Sequence, residues 1–177
     1  RTSLLPGMMR TVHKNNPAER EGIRIFELAK VFLRTGEGEG LPEESLRLTA
    51  MFSRRSAPPQ WTETGRPFDF FDMKGALETT LDRLVDLDSV KTERKEDENP
   101  AYIFNMYEKK ALVAECGKMP ARTASQYGIE SDIFYFVIYL DNTGKELSQC
   151  SYSKPSPYPA VKRDLCIITD DRITFAD

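Results

Sequence analysis

Apolar and polar positions change their period along this chain, and each change marks an element. Leu4, Leu5, Met8, Met9 and Val12 recur at helical spacing behind Ser3, a candidate N-cap, and predict a short helix despite Gly7. From Ile23 to Leu33 the run is rich in β-branched and aromatic residues and lies between Gly22 and Gly36, which predicts a strand. A glycine-rich loop from Gly36 to Gly40 leads to Leu46–Phe52, where Leu46, Leu48, Ala50 and Phe52 alternate onto one face of a returning antiparallel strand. Ser53 to Pro67, with Pro58, Pro59 and the sole tryptophan, Trp61, reads as a long connector.

The next pattern is helical again. Asp69 is placed to cap a helix running to Val85, with Phe70, Met73, Leu77, Leu81, Leu84 and Val85 along one stripe. The mixed charges from Lys91 to Glu98 lack apolar anchors and predict a solvated loop or sheet edge. Tyr102–Tyr107 and Ala111–Cys116, joined through Glu108, Lys109 and Lys110, predict a hairpin. A short helix from Ala121 to Tyr127 ends at Gly128, in the position of a C′ glycine. Ile133 to Leu140 is apolar on both faces and predicts a strand covered on both sides, central to the sheet. Pro155, Pro157 and Pro159 impose an extended connector before a last strand, Leu165 to Thr169. Short links between strands favour antiparallel pairing, so the expected class is α+β, a mainly antiparallel sheet flanked by helices.

Composition narrows the function. With 177 residues, 40% hydrophobic and 30% charged, the chain can bury one sizeable core. A net charge of −3 argues against a general phosphate-binding surface, which needs clustered Lys and Arg. Cys116, Cys150 and Cys166 are far apart and lack metal spacing; they are expected to be free thiols in a cytoplasmic protein. No apolar run is long enough for a membrane helix, and the opening residues lack a targeting pattern. Beginning at Arg1, the chain reads as a piece of something longer.

Candidate chemistry is sparse. His13 is the only histidine and so the only candidate base; it falls on a surface helix between Val12 and Lys14 and reads as an ordinary solvated histidine. Neither glycine-rich phosphate fingerprint is present, and Glu37 and Glu39 would repel a phosphate from the Gly36–Gly40 loop. Asp69 and Asp72 have a spacing that could share a magnesium ion, but the helix N-terminus satisfies both. No residue is therefore assigned as catalytic, cofactor-binding or metal-binding.

Four runs carry a resemblance. Arg1-Thr2-Ser3-Leu4-Leu5-Pro6-Gly7, Arg24-Ile25-Phe26-Glu27-Leu28-Ala29-Lys30-Val31-Phe32, Asp69-Phe70-Phe71-Asp72-Met73-Lys74-Gly75 and Tyr158-Pro159-Ala160-Val161-Lys162-Arg163-Asp164-Leu165 follow one another in the order of the bacterial-type phenylalanyl-tRNA synthetase β subunit family, which the chain resembles over nearly its whole length. It departs from that family at Asn99-Pro100-Ala101-Tyr102, where His-Pro-Gly-Arg is usual, and at Cys116-Gly117-Lys118-Met119-Pro120, where Gly-Glu-Leu-His-Pro is usual.

The resemblance implies a class II aminoacyl-tRNA synthetase-like core that has lost its active site and serves as scaffold. Residues 1–160 would form that domain, and 161–177 the start of the C-terminal anticodon-binding domain or a last strand. A working class II core needs one arginine on a strand for the α-phosphate and another opening a helix for the γ-phosphate. Arg24 with Glu27 has an outward likeness to the first, and the second has no counterpart. The implied partners are the synthetase α subunit and, in the full heterotetramer, tRNA(Phe), with no membrane and no DNA. ATP and magnesium would serve the full enzyme, with no cofactor in this segment. An RNA-binding module and a self-sufficient class II-like ATP-binding enzyme are the alternatives.

Overall fold

The computed structural model describes residues 1–15, 22–34, 41–55, 65–95 and 102–144. Chain contacts divide the protein into Arg1–Leu147 and Ser148–Asp177, and the architecture below belongs to the first unit. The Gly36–Gly40 loop, Trp61, Cys150, Cys166, the proline-rich connector and the expected strand Leu165–Thr169 lie outside the described residues.

Among the described residues, six strands form one antiparallel sheet in the order β1-β2-β6-β5-β4-β3. β1 (Ile23–Leu33) and β2 (Glu43–Ser53) pair along their full length, from Ile23 opposite Ser53 to Leu33 opposite Glu43. β3 (Lys91–Lys95) is the exposed charged run, and it forms the far edge, with all five side chains in solvent. Charge on an edge strand discourages pairing with another chain. β4 (Ile103–Glu108) and β5 (Ala111–Lys118) form the expected hairpin. Its turn places Lys109 and Lys110 at φ 48° and 73°, the doubly left-handed geometry of a two-residue hairpin turn without the usual Asn or Gly. β6 (Ile133–Tyr139) lies between β2 and β5, and both of its faces are covered.

Helices cover the two faces separately. On one face, α2 (Phe70–Leu81) buries Met73, Leu77 and Leu81 against Ala50, Ala114, Phe134, Phe136 and Ile138. The helix ends at Leu81 rather than Val85. Val85 still reaches the core because the chain turns after Asp82, the Leu84 and Val85 amides both donating to the Leu81 carbonyl. The apolar stripe thus outlasts the helix.

On the other face, α1 (Leu5–Asn15) buries Met8, Met9 and Val12 with Ile23, Val31, Met51, Ile133 and Tyr135. Ser3 Oγ accepts the Leu5 amide at 3.2 Å. α3 (Ala121–Gln126) packs into the same cluster through Ala124. Gly128, at φ +69°, terminates α3: its amide donates to the Ser125 carbonyl, and that of Ile129 to the Ala124 carbonyl. This is the paired closure expected of a C′ glycine. β2 therefore has two buried faces where alternation suggested one, since Thr49 and Met51 meet the α1 layer while Ala50 meets α2.

Candidate functional site

The residues singled out for the phosphate-arginine likeness do not meet. Side chains alternate along a strand, and Arg24 and Glu27 are three positions apart, so they project from opposite faces. Arg24 lies over the Phe68 ring, 5.0 Å from its centroid, on the α2 face. Glu27 accepts from Arg1 Nη1 at 2.6 Å on the α1 face. The likeness is one of sequence only, and the pair cannot grip a single ligand.

Asp69 and Asp72 do come together, as a capping box. Asp69 Oδ1 accepts the Asp72 amide and Asp72 Oδ2 accepts the Asp69 amide, each at 3.0 Å. Arg66 grips Asp72 with two bonds of 2.6 Å and reaches Asp69 at 3.2 Å. This fork holds the Asp72 carboxyl below the usual carboxylate range, with the Asp69 amide adding to it against the cost of burial. His13 is exposed at the end of α1, its ring beside Gly128. Among the described residues no three His, Cys, Asp or Glu side chains converge as a metal site.

The concave feature of the α1 face is built by register. Glu27, Thr49, Val137, Glu115 and Asn105 align across β1, β2, β6, β5 and β4 in one row. Arg47 and Tyr139 are paired one step further along. With Thr2 and Ser3 from the chain start, Arg47, Thr49, Glu115, Val137 and Tyr139 line a cleft of about 310 Å³ whose apolar walls include Leu4, Val31 and Leu33. Arg47 lies 4.2 Å from the Tyr139 ring centroid and 3.6 Å from Asp141. Asp141 itself accepts from Ser45 Oγ and from the Leu46 amide, and these bonds, Ser45 first, lower its pKa. Glu115 accepts from the Tyr135 hydroxyl at 3.2 Å. Burial, then the negative charge of Glu115, pushes the Tyr135 hydroxyl well above its ordinary range and raises that of Tyr139. Among the described residues, the buried Thr49 Oγ1 and Asn105 Oδ1 have no hydrogen-bond partner.

Sequence reasoning missed this cleft because its members come from five separate segments. The available signal was polar residues in otherwise apolar strands, Arg47 and Thr49 in β2 and Glu115 in β5.

Tyr102, the described residue of the first departure from the family pattern, meets the second departure in space. The Lys118 amide donates to the Tyr102 carbonyl at 3.1 Å, and a Cβ on Gly117 would come within 2.2 Å of that carbonyl. Lys118 pairs with Asp132 at 2.7 Å, and Met119 is buried in the α1-side core.

The fold is similar to that of solved tRNA synthetase structures. Two solved structures of the pyrrolysyl tRNA synthetase of Desulfitobacterium hafniense superpose with TM-scores of 0.58 and 0.54, at 13% and 14% identity, each over 80% of this chain and 47% of theirs. At that identity the likeness concerns the fold alone. Residues 1–140 match the model of the phenylalanyl tRNA synthetase beta chain CLM domain, and the chain belongs to that family. Similar proteins include the phenylalanine–tRNA ligase beta subunits of Geobacter sulfurreducens, 29% identical over 100% of this chain, and of Buchnera aphidicola, 28% identical over 98%. The chain spans about a fifth, 22%, of the length of these curated relatives.

Proposed function

We propose that this chain is a non-catalytic, architectural domain of a phenylalanine–tRNA ligase β subunit. In this reading the domain supports ATP-dependent attachment of phenylalanine to tRNA(Phe) by a heterotetramer whose α subunit does the chemistry. Residues 1–160 form the domain on a class II core, and 161–177 begin the anticodon-binding domain or supply a last strand. ATP and magnesium serve the α subunit's reaction in the cytoplasm, and no residue of this segment holds them.

The observation that carries the proposal is the charge of the α1-face row. A site for a nucleoside triphosphate must place fixed cations where phosphate charge develops. Here Glu27 and Glu115 stand on either side of Thr49 and Val137. The cations beside them are engaged: Arg1 is paired with Glu27 at 2.6 Å, and Arg47 lies against Tyr139 with Asp141 at 3.6 Å. Carboxylates in those positions repel a polyphosphate. The well-packed double-layered core meanwhile suits a rigid support.

The test uses the whole β subunit paired with its α subunit. Arg24→Ala should leave aminoacylation per assembled complex unchanged. Leu77→Ala should lower the amount of assembled complex while sparing the rate per complex. A fall of about two to three orders of magnitude in that rate with Arg24→Ala, the size expected for loss of a phosphate-stabilising donor, would contradict the proposal.

A further inference from the structure

The two edges of the sheet are built differently. β3 is a five-residue edge whose side chains are all polar or charged and all in solvent. β1, at the opposite edge, is eleven residues long, contains no proline and keeps one unbroken register with β2. Short, charged, proline-bearing or bulged edges resist pairing with another chain, while a long, flat, apolar edge invites it. On the α2 side of β1, Phe26 and Leu28 are 77% and 57% exposed. α2 borders this surface at Thr80, beside Ala50 and Phe52, and leaves both side chains bare.

The backbone of β1 is also open. The Phe32 amide donates to the Arg1 carbonyl at 2.8 Å, so it points away from β2. Peptide groups along a strand alternate sides, which turns the amides and carbonyls of Phe26, Leu28 and Lys30 outward as well. Among the described residues none of these three finds a backbone partner on that side.

We infer that the β1 edge pairs with the β1 edge of a second copy of this chain, antiparallel about a two-fold axis at Leu28. The strand is self-complementary in that register. Leu28 meets Leu28 of the second copy, and Phe26 meets Lys30. The Lys30 ammonium is held by Glu44 at 2.7 Å, so its aliphatic stem is what faces the ring. Moving the axis to Glu27 would set Arg24 opposite Lys30, and like charges directly opposite destabilise a strand pair. Moving it to Phe26 would shorten the overlap. Arg1, bonded at Phe32, closes the ladder at its end. The paired stretch, Ile25 to Val31 of each copy, is small beside an interface of the standard size of roughly 1,600 Å², so the dimer depends on concentration. This self-association goes beyond the architectural role and is read on the chain alone, so its failure would leave that role standing.

The experiment is sedimentation velocity of the 177-residue chain over a concentration series, with disulfide trapping to fix the register. The average mass should rise from that of one chain toward that of two. Leu28→Lys, which places two ammonium groups at the axis, should abolish the rise while circular dichroism stays unchanged, since the side chain is largely exposed. For trapping, Cys150→Ser and Cys166→Ser remove other thiols. Opposed residues of a hydrogen-bonded pair lie about 5.5 Å apart at Cα, within disulfide reach. Leu28→Cys should therefore form a covalent dimer on oxidation. Phe26→Cys should not, because the two copies of that position are offset by about 13 Å along the strands. Phe26→Cys combined with Lys30→Cys should restore trapping. A chain that stays monomeric throughout the series, a dimer that survives Leu28→Lys, or equal trapping through Phe26→Cys and Leu28→Cys would each overturn the inference.

Discussion

Arg24 and Glu27, three residues apart on one strand, face opposite sides of the sheet: Arg24 lies over Phe68, and Glu27 is held by Arg1. The consequence is chemical. A strand presents alternate residues to each face, so no rotamer brings these two to one phosphate. The arginine that most resembles a nucleotide clamp is thereby committed to the α2 side, away from the cleft.

The α2 core should be sensitive to loss of volume. Leu77 is fully buried between Met73, Leu81 and the apolar face of β5 and β6. Leu77→Ala should destabilise the chain by about 2–5 kcal/mol, combining lost burial with the cavity left behind. Urea denaturation measures this, and a loss below about 0.5 kcal/mol would place the residue outside the core.

The capping box makes a pH prediction. Asp72 has its pKa lowered in the folded chain, first by its hydrogen bond with Arg66, so the stabilisation is present above the ordinary carboxylate value of 3.8. It is lost as pH falls through the lower folded value. Asp72→Asn should therefore flatten the acid limb of the stability curve, measured by denaturation between pH 2 and pH 6. Asp69→Ala, which removes the cap itself, should cost about 0.5–2 kcal/mol at neutral pH.

Much of the fold was legible because period and burial agree. β1 runs from Ile23 to Leu33 as its composition suggests, and Ile133 to Tyr139 is central because both its faces are apolar. β3 carries no apolar side chain, so only the pairing of its backbone with β4 identifies it as a strand. Phe26 and Leu28 contradict the expectation in the other direction: they are apolar strand residues that are 77% and 57% exposed. Sequence reports the tendency of a residue to be buried, while its depth depends on what covers the sheet. The cleft was illegible for a related reason. Thr49 and Glu115 are 66 positions apart and become neighbours in a row only once β6 enters between β2 and β5.

Cys116 should be inert in the folded chain. Burial, with Glu115 adding to it, pushes its thiol from 9.0 up to about 11. Since the folded pKa lies above the unfolded one, the neutral thiol contributes fully below the unfolded value, and stability falls as pH rises from there toward the folded value. Alkylation at pH 8 should leave Cys116 unmodified until denaturant is added, as followed by peptide mass spectrometry. Rapid native labelling would contradict the packing.

The hairpin turn should be improvable. Lys109 and Lys110 both occupy left-handed backbone, where an L side chain costs roughly 1–2 kcal/mol per residue. Replacing the pair with Asn and Gly, which adopt this geometry readily, should stabilise the chain by about 1 kcal/mol or more. An unchanged or lowered urea midpoint would show that the lysines contribute something the turn geometry does not explain.

Adenylate chemistry, which the proposed architectural role excludes, is assayed by phenylalanine-dependent exchange between pyrophosphate and ATP with the purified chain. Exchange should stay at background with magnesium and saturating substrates, unaffected by Arg47→Ala. Exchange above background that Arg47→Ala abolishes would contradict that role.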